Sequence, residues 1–267
     1  MMRAKKSLGQ NFLMHARIAE RIVLVSGVDK NSVVLEVGPG TGMLTRVLLQ
    51  RAGKVVAVEA DYELFEKLQT DFAHEIANGR LKLIYGDIRN WNFETHLNSR
   101  YSVKDGYKTK RYDVVANIPY YLTGEIFRMF LEAPNQPSSM TLLVQKEVAD
   151  RIVARDGKES ILSLSVKAYG TPKREFLVPR GAFKPAPNVD SAVLTIRDIS
   201  RNNFATKKEE EQFFKLLHAG FAHKRKLVQN NLKEFVSEKA LRVAGVHEGA
   251  RAEDLTLSTW LKLARSH

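Results

Sequence analysis

Cysteine is absent from all 267 residues. That removes disulfide scaffolding, Cys-based zinc and iron–sulfur sites, and every mechanism that runs through a Cys nucleophile, including ring activation at C5 of a pyrimidine. No apolar run approaches the ~20 residues of a membrane span, and no internal repeat or low-complexity tract is present. The basic start Met1-Met2-Arg3-Ala4-Lys5-Lys6-Ser7 leads into Gly9-Gln10-Asn11 rather than an apolar signal core, so a cytoplasmic location and no membrane association are expected. Acidic residues are outnumbered, 30 against 42 basic, for a net charge of +12. A polyanionic partner follows, although charge alone does not separate nucleic acid from an acidic surface.

What is present is an alternation of strand-length apolar runs and helical-length amphipathic segments from Ile18 to about Arg197, the pattern of a sheet covered by helices. Val33–Val37, Val55–Val58, Leu81–Tyr85, Tyr112–Ala116 and Met140–Val144 read as strands. Glu175–Val178 and Ala192–Ile196 read as a closing pair. Helices are expected over His15–Val25 and along the stripe Leu64, Phe65, Leu68, Phe72, Ile76. The expected fold is α/β, Rossmann-like, with a mainly parallel seven-stranded sheet. A polar stretch from Asp198 to Ala205 places a boundary near residue 200, dividing a catalytic domain (1–200) from a small all-helical C-terminal domain (201–267) with Phe213, Leu217, Phe221, Val228 and Leu232 at near-helical spacing.

The chemistry gathers where strands end. The first strand runs into Glu36-Val37-Gly38-Pro39-Gly40-Thr41-Gly42. Gly38 and Gly40 let the backbone pass close to a nucleotide-like ligand. The spacing departs from the dinucleotide fingerprint, and Glu36 would repel a pyrophosphate but can engage an ammonium. S-adenosylmethionine (SAM) carries an amino acid and a sulfonium and no phosphate. The next strand ends at Glu59, 21 residues after Gly38, where the ribose-binding acid of such folds stands, while Asp61 is placed to cap the following helix. The third ends in Gly86-Asp87-Ile88, with Asp87 an acceptor for the adenine amino group and Ile88 packing on the ring.

The fourth strand ends in Asn117-Ile118-Pro119-Tyr120. An exocyclic purine amine has its lone pair delocalised into the ring, so alkylating it requires acceptors for its N–H groups that favour a tetrahedral nitrogen. The Asn117 side-chain carbonyl and a backbone carbonyl held by Pro119 are suited to this, and Tyr120 offers a stacking face for an extruded base, worth roughly 1–3 kcal/mol. Alone, each string has an ordinary turn or cap reading. In series at one sheet edge they indicate SAM-dependent methylation of an exocyclic amine, with N6 of adenine favoured, and no metal is expected.

Taken with Ser7-Leu8-Gly9-Gln10-Asn11-Phe12-Leu13, Phe183-Lys184-Pro185-Ala186-Pro187-Asn188-Val189-Asp190-Ser191 and His223-Lys224-Arg225-Lys226, these motifs make nearly the whole chain resemble the KsgA family of small-subunit ribosomal RNA adenine dimethyltransferases. The resemblance implies transfer of four methyl groups to N6 of two adjacent adenosines near the 3′ end of that RNA, late in assembly of the small subunit, by a monomer. It implies cofactor contacts at Asn11, Leu13, Gly38, Glu59, Asp87 and Asn117, a target-amine site at Asn117, Pro119 and Tyr120, and at Phe183 an aromatic that either sandwiches the base or anchors the core. Ile118 stands where Leu is frequent and is also found in related enzymes that methylate a large-subunit rRNA adenosine, the nearest alternative. A non-catalytic assembly or transcription factor on this fold and a DNA adenine methyltransferase are the others. Residues 206–267 carry +4 and residues 1–205 carry +8, so both domains are expected to meet RNA. Lys5, Lys6, the loop 98–111 and His223–Lys226 are candidate phosphate contacts.

Overall fold

A computed structural model describes residues 5, 8–90 and 111–266. Two expected phosphate contacts, Lys6 and nearly all of the loop 98–111, lie outside the described residues. The chain divides into two compact units, one of 1–146 and 173–197, the other of 147–172 and 198–267.

The first unit is built on a seven-stranded sheet. Its strands are β2 (Val33–Val37), β3 (Lys54–Glu59), β4 (Leu81–Tyr85), β5 (Asp113–Asn117), β6 (Ser139–Gln145), β7 (Thr171–Val178) and β9 (Ser191–Arg197). They stand in the order β4-β3-β2-β5-β6-β9-β7. The pairs β2·β3, β3·β4, β2·β5 and β5·β6 are parallel, whereas β6·β9 is antiparallel. Val, Leu and Ala fill the central strands because both faces are covered, and every residue of Val34–Val37 is buried. Helix α1 (Ala16–Ser26) presents Ala19, Ile22 and Val23 to the core, ending at Gly27 in the left-handed conformation (φ 74°). Helix α2 (Met43–Arg51) buries Leu44, Val47, Leu48 and Leu49.

One local reading is corrected, and one short pairing is added. The apolar stripe from Leu64 to Ile76 is two helices, α3 (Tyr62–Asp71) and α4 (Ala73–Ala77). They break at Phe72, which leaves helical geometry (φ −119°, ψ 26°) with its ring buried beside Gly42. The segment Phe12–Leu13, which has no strand-length pattern of its own, is a short strand β1 paired antiparallel with β8 (Phe183–Lys184).

The second unit is helical. It contains α5 (Ile161–Lys167), α6 (Lys207–Phe221), α7 (Val228–Leu232), α8 (Glu238–Ala244) and α9 (Leu257–Arg265). Its membership differs from a break at residue 200 alone, because Glu147–Pro172 groups with the C-terminal helices. Tyr169 shows why: its ring packs on Phe204 and Phe214 and its backbone carbonyl accepts from Ser200 N–H. The near-helical spacing from Phe213 to Leu232 is interrupted by the exposed stretch Ala222–Lys226.

Candidate active site

After β4 the chain crosses to the far side of β2 to form β5, leaving a switch point between β2 and β5 where an open α/β sheet forms its ligand crevice. A cavity lies there, lined by residues of 8–13, the glycine loop, Glu59, Gly86–Ile88 and Asn117–Leu122. Because β4, β3, β2 and β5 are side by side and parallel, their carboxyl ends form a row. Asp87, Glu59, the loop Gly38–Gly42 and Asn117 therefore stand in line, spread over three inter-strand gaps of about 4.8 Å each.

The glycine loop depends on backbone angles that side chains resist. Gly38, Gly40 and Gly42 have φ of 66°, 60° and 81°. A Cβ on Gly38 would meet nothing within 4 Å, so the loop opens onto free space, whereas Gly40 lies under the Phe12 ring and Gly42 against Phe72. Glu59 is buried and accepts from Gly40 N–H (3.0 Å) and Asp61 N–H (2.9 Å). Burial raises its pKa, partly opposed by those donors. A carboxylate has about four acceptor positions, so room for two hydroxyl donors remains. Asp61 caps α3 through Glu63 N–H (3.0 Å). It is held from its other side by Lys5 Nζ (2.8 Å) and Gln10 Nε2 (2.9 Å). Burial pushes its pKa up, but these partners outweigh that and hold it low. Sequence reading missed this clasp of the amino-terminal segment onto the start of α3, since nothing local links residues 5 and 61.

Glu36 is buried on the cavity wall with its Oε2 lacking a hydrogen-bond partner among the described residues. Desolvation pushes its pKa up to about 8, which favours the neutral carboxyl near pH 7. Asp87 lines the cavity and is gripped by Arg89 through Nε, 3.0 Å from Oδ1 and 2.9 Å from Oδ2. That partner holds its pKa below the ordinary value. Ile88 and Leu13 are buried cavity residues.

Asn117 donates its Nδ2 to the Asn11 carbonyl at 3.0 Å, which fixes the amide and leaves Oδ1 as its acceptor end. Asn11 in turn donates to the Gly9 carbonyl (3.3 Å). The Pro119 carbonyl accepts from Leu122 N–H (3.0 Å) in the turn that follows. Tyr120 is half-buried in the cavity wall, its hydroxyl 2.6 Å from Ser191 Oγ, and burial raises its pKa. The Ile118 side chain is buried in the fold.

One expected residue is not brought to the cavity. Phe183 pairs with Leu13 across β1·β8, is 5% exposed, and packs in the core cluster with Leu13, Val178 and Ala182. It anchors β1, the strand that follows Asn11, and does not line the cavity. Among the described residues no group of metal-ligating side chains occurs, and no helix is long and apolar enough to cross a membrane.

An open glycine loop, an acid with spare acceptors and a buried carboxyl with one unpartnered oxygen fit a ligand with ribose hydroxyls and an ammonium. Fold and cavity define an S-adenosylmethionine-dependent methyltransferase. The family model described as ribosomal RNA adenine dimethylase matches residues 1–267. The chain is 39% identical to ribosomal RNA small subunit methyltransferase A of Dehalococcoides mccartyi, over 98% of this chain and 88% of the relative. It is 36% identical to the protein of the same name from Fusobacterium nucleatum, covering 98% and 96%. Among solved structures, the 23S rRNA methyltransferase ErmE superposes with a TM-score of 0.77 at 26% identity, over 96% and 98% of the two chains. A dimethyladenosine transferase from Plasmodium falciparum shares the fold, with a TM-score of 0.75 at 22% identity over 94% and 95%. The chain belongs to the ribosomal RNA adenine dimethylase family.

Proposed function

We propose that this chain dimethylates N6 of two adjacent adenosines near the 3′ end of small-subunit ribosomal RNA, with SAM as methyl donor, acting as a monomer in the cytoplasm on a late assembly intermediate. The observation that carries the reading is the row Asp87, Glu59, glycine loop, Asn117 along one sheet edge. That row repeats the connectivity of adenine, ribose, aminoacyl sulfonium and target amine. In this reading Asp87 accepts from the cofactor's adenine amine, with Ile88 and Leu13 against the ring. Glu59 takes the ribose hydroxyls, and Gly38 and Gly40 admit the aminoacyl chain. Glu36, losing its proton, meets the ammonium. SAM supplies an electrophilic methyl group on its sulfonium.

Asn117 Oδ1 accepts one target N–H. The Pro119 carbonyl is already engaged by Leu122, so the second acceptor is assigned to the preceding carbonyl, that of Ile118. Pro119 then serves by shaping the turn. Tyr120, steadied by Ser191, is the stacking face, and Phe183 supports the site from the core. No strong base is required, because the nitrogen becomes acidic once alkylated and its proton leaves to water. The ring and amine must be extruded from their RNA surroundings to reach this row.

The small-subunit relatives favour this substrate over the large-subunit alternative, and Ile118, buried beside the cavity, does not separate the two. The helical unit and the exposed His223–Lys226 stretch are assigned to rRNA recognition. Incubating both ribosomal subunits with isotopically labelled SAM and sequencing the modified positions by mass spectrometry tests the assignment. Dimethyladenosine in the small-subunit RNA is expected; label confined to the large subunit would overturn it.

A further inference from the structure

Tyr120 and Tyr121 are neighbours in the short helix Tyr120–Leu122, where three residues make a turn and successive side chains leave the axis about 120° apart. Their surroundings divide accordingly. Tyr120 is half-buried, with its hydroxyl 2.6 Å from the Oγ of Ser191, a fully buried residue. Tyr121 also lines the cavity but is 58% exposed, so its ring stands at the mouth. One side of that ring is braced: a Cβ built on Gly9 would lie 3.1 Å from Tyr121 Cδ1 and 3.1 Å from Cε1. Gly9 has φ 58° and no side chain, which lets the amino-terminal segment lie close against the ring. A large ring that the core does not bury is thus held in a defined place at the entrance to the site.

We propose that Tyr121 is a second stacking platform, which receives the nucleotide flanking the adenosine whose N6 is at Asn117. The inference deepens the proposed function and rests on it. Consecutive Cα atoms are 3.8 Å apart, so the two tyrosines start side by side and diverge, one ring inward and one at the rim. A target base drawn onto Tyr120 leaves the next base in the strand without a stacking partner, and that base lies one nucleotide away, at the mouth. Tyr121 offers it a new face and so offsets part of the unstacking free energy.

The chemistry of such a platform suits two adjacent targets. A strand enters with fixed polarity, so the same side of the target is presented to Tyr121 in both rounds. In one round the flanking nucleotide is the other adenosine of the pair; in the other it is the nucleotide beyond the pair. When it is the other adenosine, its amine is either unmodified or already dimethylated, and a dimethylated amine has no N–H to donate. Hydrogen-bond readout would fail across these cases. Stacking serves all of them, because every base has a π-face.

Single-turnover transfer from SAM to small ribosomal subunits with unmethylated RNA, beside calorimetric binding of S-adenosylhomocysteine, tests this on the full chain. Tyr121→Leu keeps bulk against Gly9 and removes the aromatic face. It is expected to lower transfer at sub-saturating subunit concentration by roughly five- to 150-fold, with S-adenosylhomocysteine affinity unchanged. Tyr121→Phe and Tyr121→Trp, which keep a π-face, should restore it. Subunits reconstituted with an abasic nucleotide immediately 5′ or immediately 3′ of the adenosine pair identify the contact. With the unaltered chain one of the two lowers methylation of the adenosine beside it, and with Tyr121→Leu that same change has no further effect. Undiminished transfer by Tyr121→Leu, no restoration by Tyr121→Phe, a parallel loss of S-adenosylhomocysteine affinity, or an abasic effect that adds to Tyr121→Leu would each overturn the proposal. If the unaltered chain labels large-subunit RNA alone, the substrate reading fails and the inference with it. If it labels the small-subunit adenosines and Tyr121→Leu does so equally well, only the inference falls.

Discussion

Asn117 combines two jobs in one amide: the nitrogen end is tied to Asn11 and the oxygen end is left to accept. Asn117→Ala removes the acceptor and the tie together. Methyl transfer is expected to fall on the order of 10²–10³-fold or more, as when one preorganised polar group is deleted from a site of developing charge, while cofactor affinity is partly retained. Single-turnover transfer beside equilibrium binding checks this, and near-normal turnover would remove Asn117 from the site. Glu36 leads to a pH prediction. Near pH 4 it is protonated in folded and unfolded chains alike. Between its ordinary 4.5 and about 8 the unfolded chain releases the proton and the folded chain keeps it. The unfolded state binds fewer protons across that window, so this group lowers stability as pH rises. Glu36→Gln should flatten the fall and raise Tm at pH 8 in the cofactor-free protein, by roughly 2–4 °C for each kcal/mol recovered. A parallel Tm–pH curve for the two proteins would contradict it.

At the scale of elements, the turn from β2 into α2 is the most constrained. Gly42 sits at φ 81°, and a Cβ there would lie 2.7 Å from the Phe72 ring and 3.1 Å from Leu68. Gly42→Ala therefore combines left-handed strain with a clash against a buried ring, an expected loss of about 1–3 kcal/mol. Urea unfolding should show a lower midpoint at unchanged m-value; an unchanged midpoint would mean the loop relaxes freely. Such elements were legible because their signals are local. Val33–Val37 and Leu81–Tyr85 are bounded as their apolar runs indicate, and the glycines and acids sit at strand ends where sequence places them. Pairing between β1 and β8 was not legible. Two residues carry no periodicity, and their partner lies some 170 positions away. For the same reason the sequence left Phe183 open between a site aromatic and a core anchor, and its side chain lies in the core. The spatial order Asp87, Glu59, loop, Asn117 was only half legible, since it follows from the crossover after β4 and not from the order of the motifs along the chain.

For the molecule as a whole, positive charge is spread over both units, which matches recognition of a folded RNA by shape and backbone. His223–Lys226 is exposed, and its turn is fixed by Asn231, which donates to the carbonyls of Gly220 (2.6 Å) and His223 (3.2 Å). Replacing Lys224, Arg225 and Lys226 together by Ala should weaken rRNA binding and reduce the slope of log K against log salt by roughly 2–3, leaving cofactor binding intact. An unchanged slope, read by filter binding from low to moderate salt, would place the phosphate contacts elsewhere. One hydrogen bond has a reach out of proportion to its length: the bridge from Asn117 to Asn11 joins positions 106 residues apart. The orientation of that amide therefore reports on whether the amino-terminal segment is seated. Its two side-chain protons, one held against the Asn11 carbonyl and one not, give NMR a built-in gauge. A clipped or displaced amino terminus would register as a change in their shift separation and exchange rate before any RNA is added.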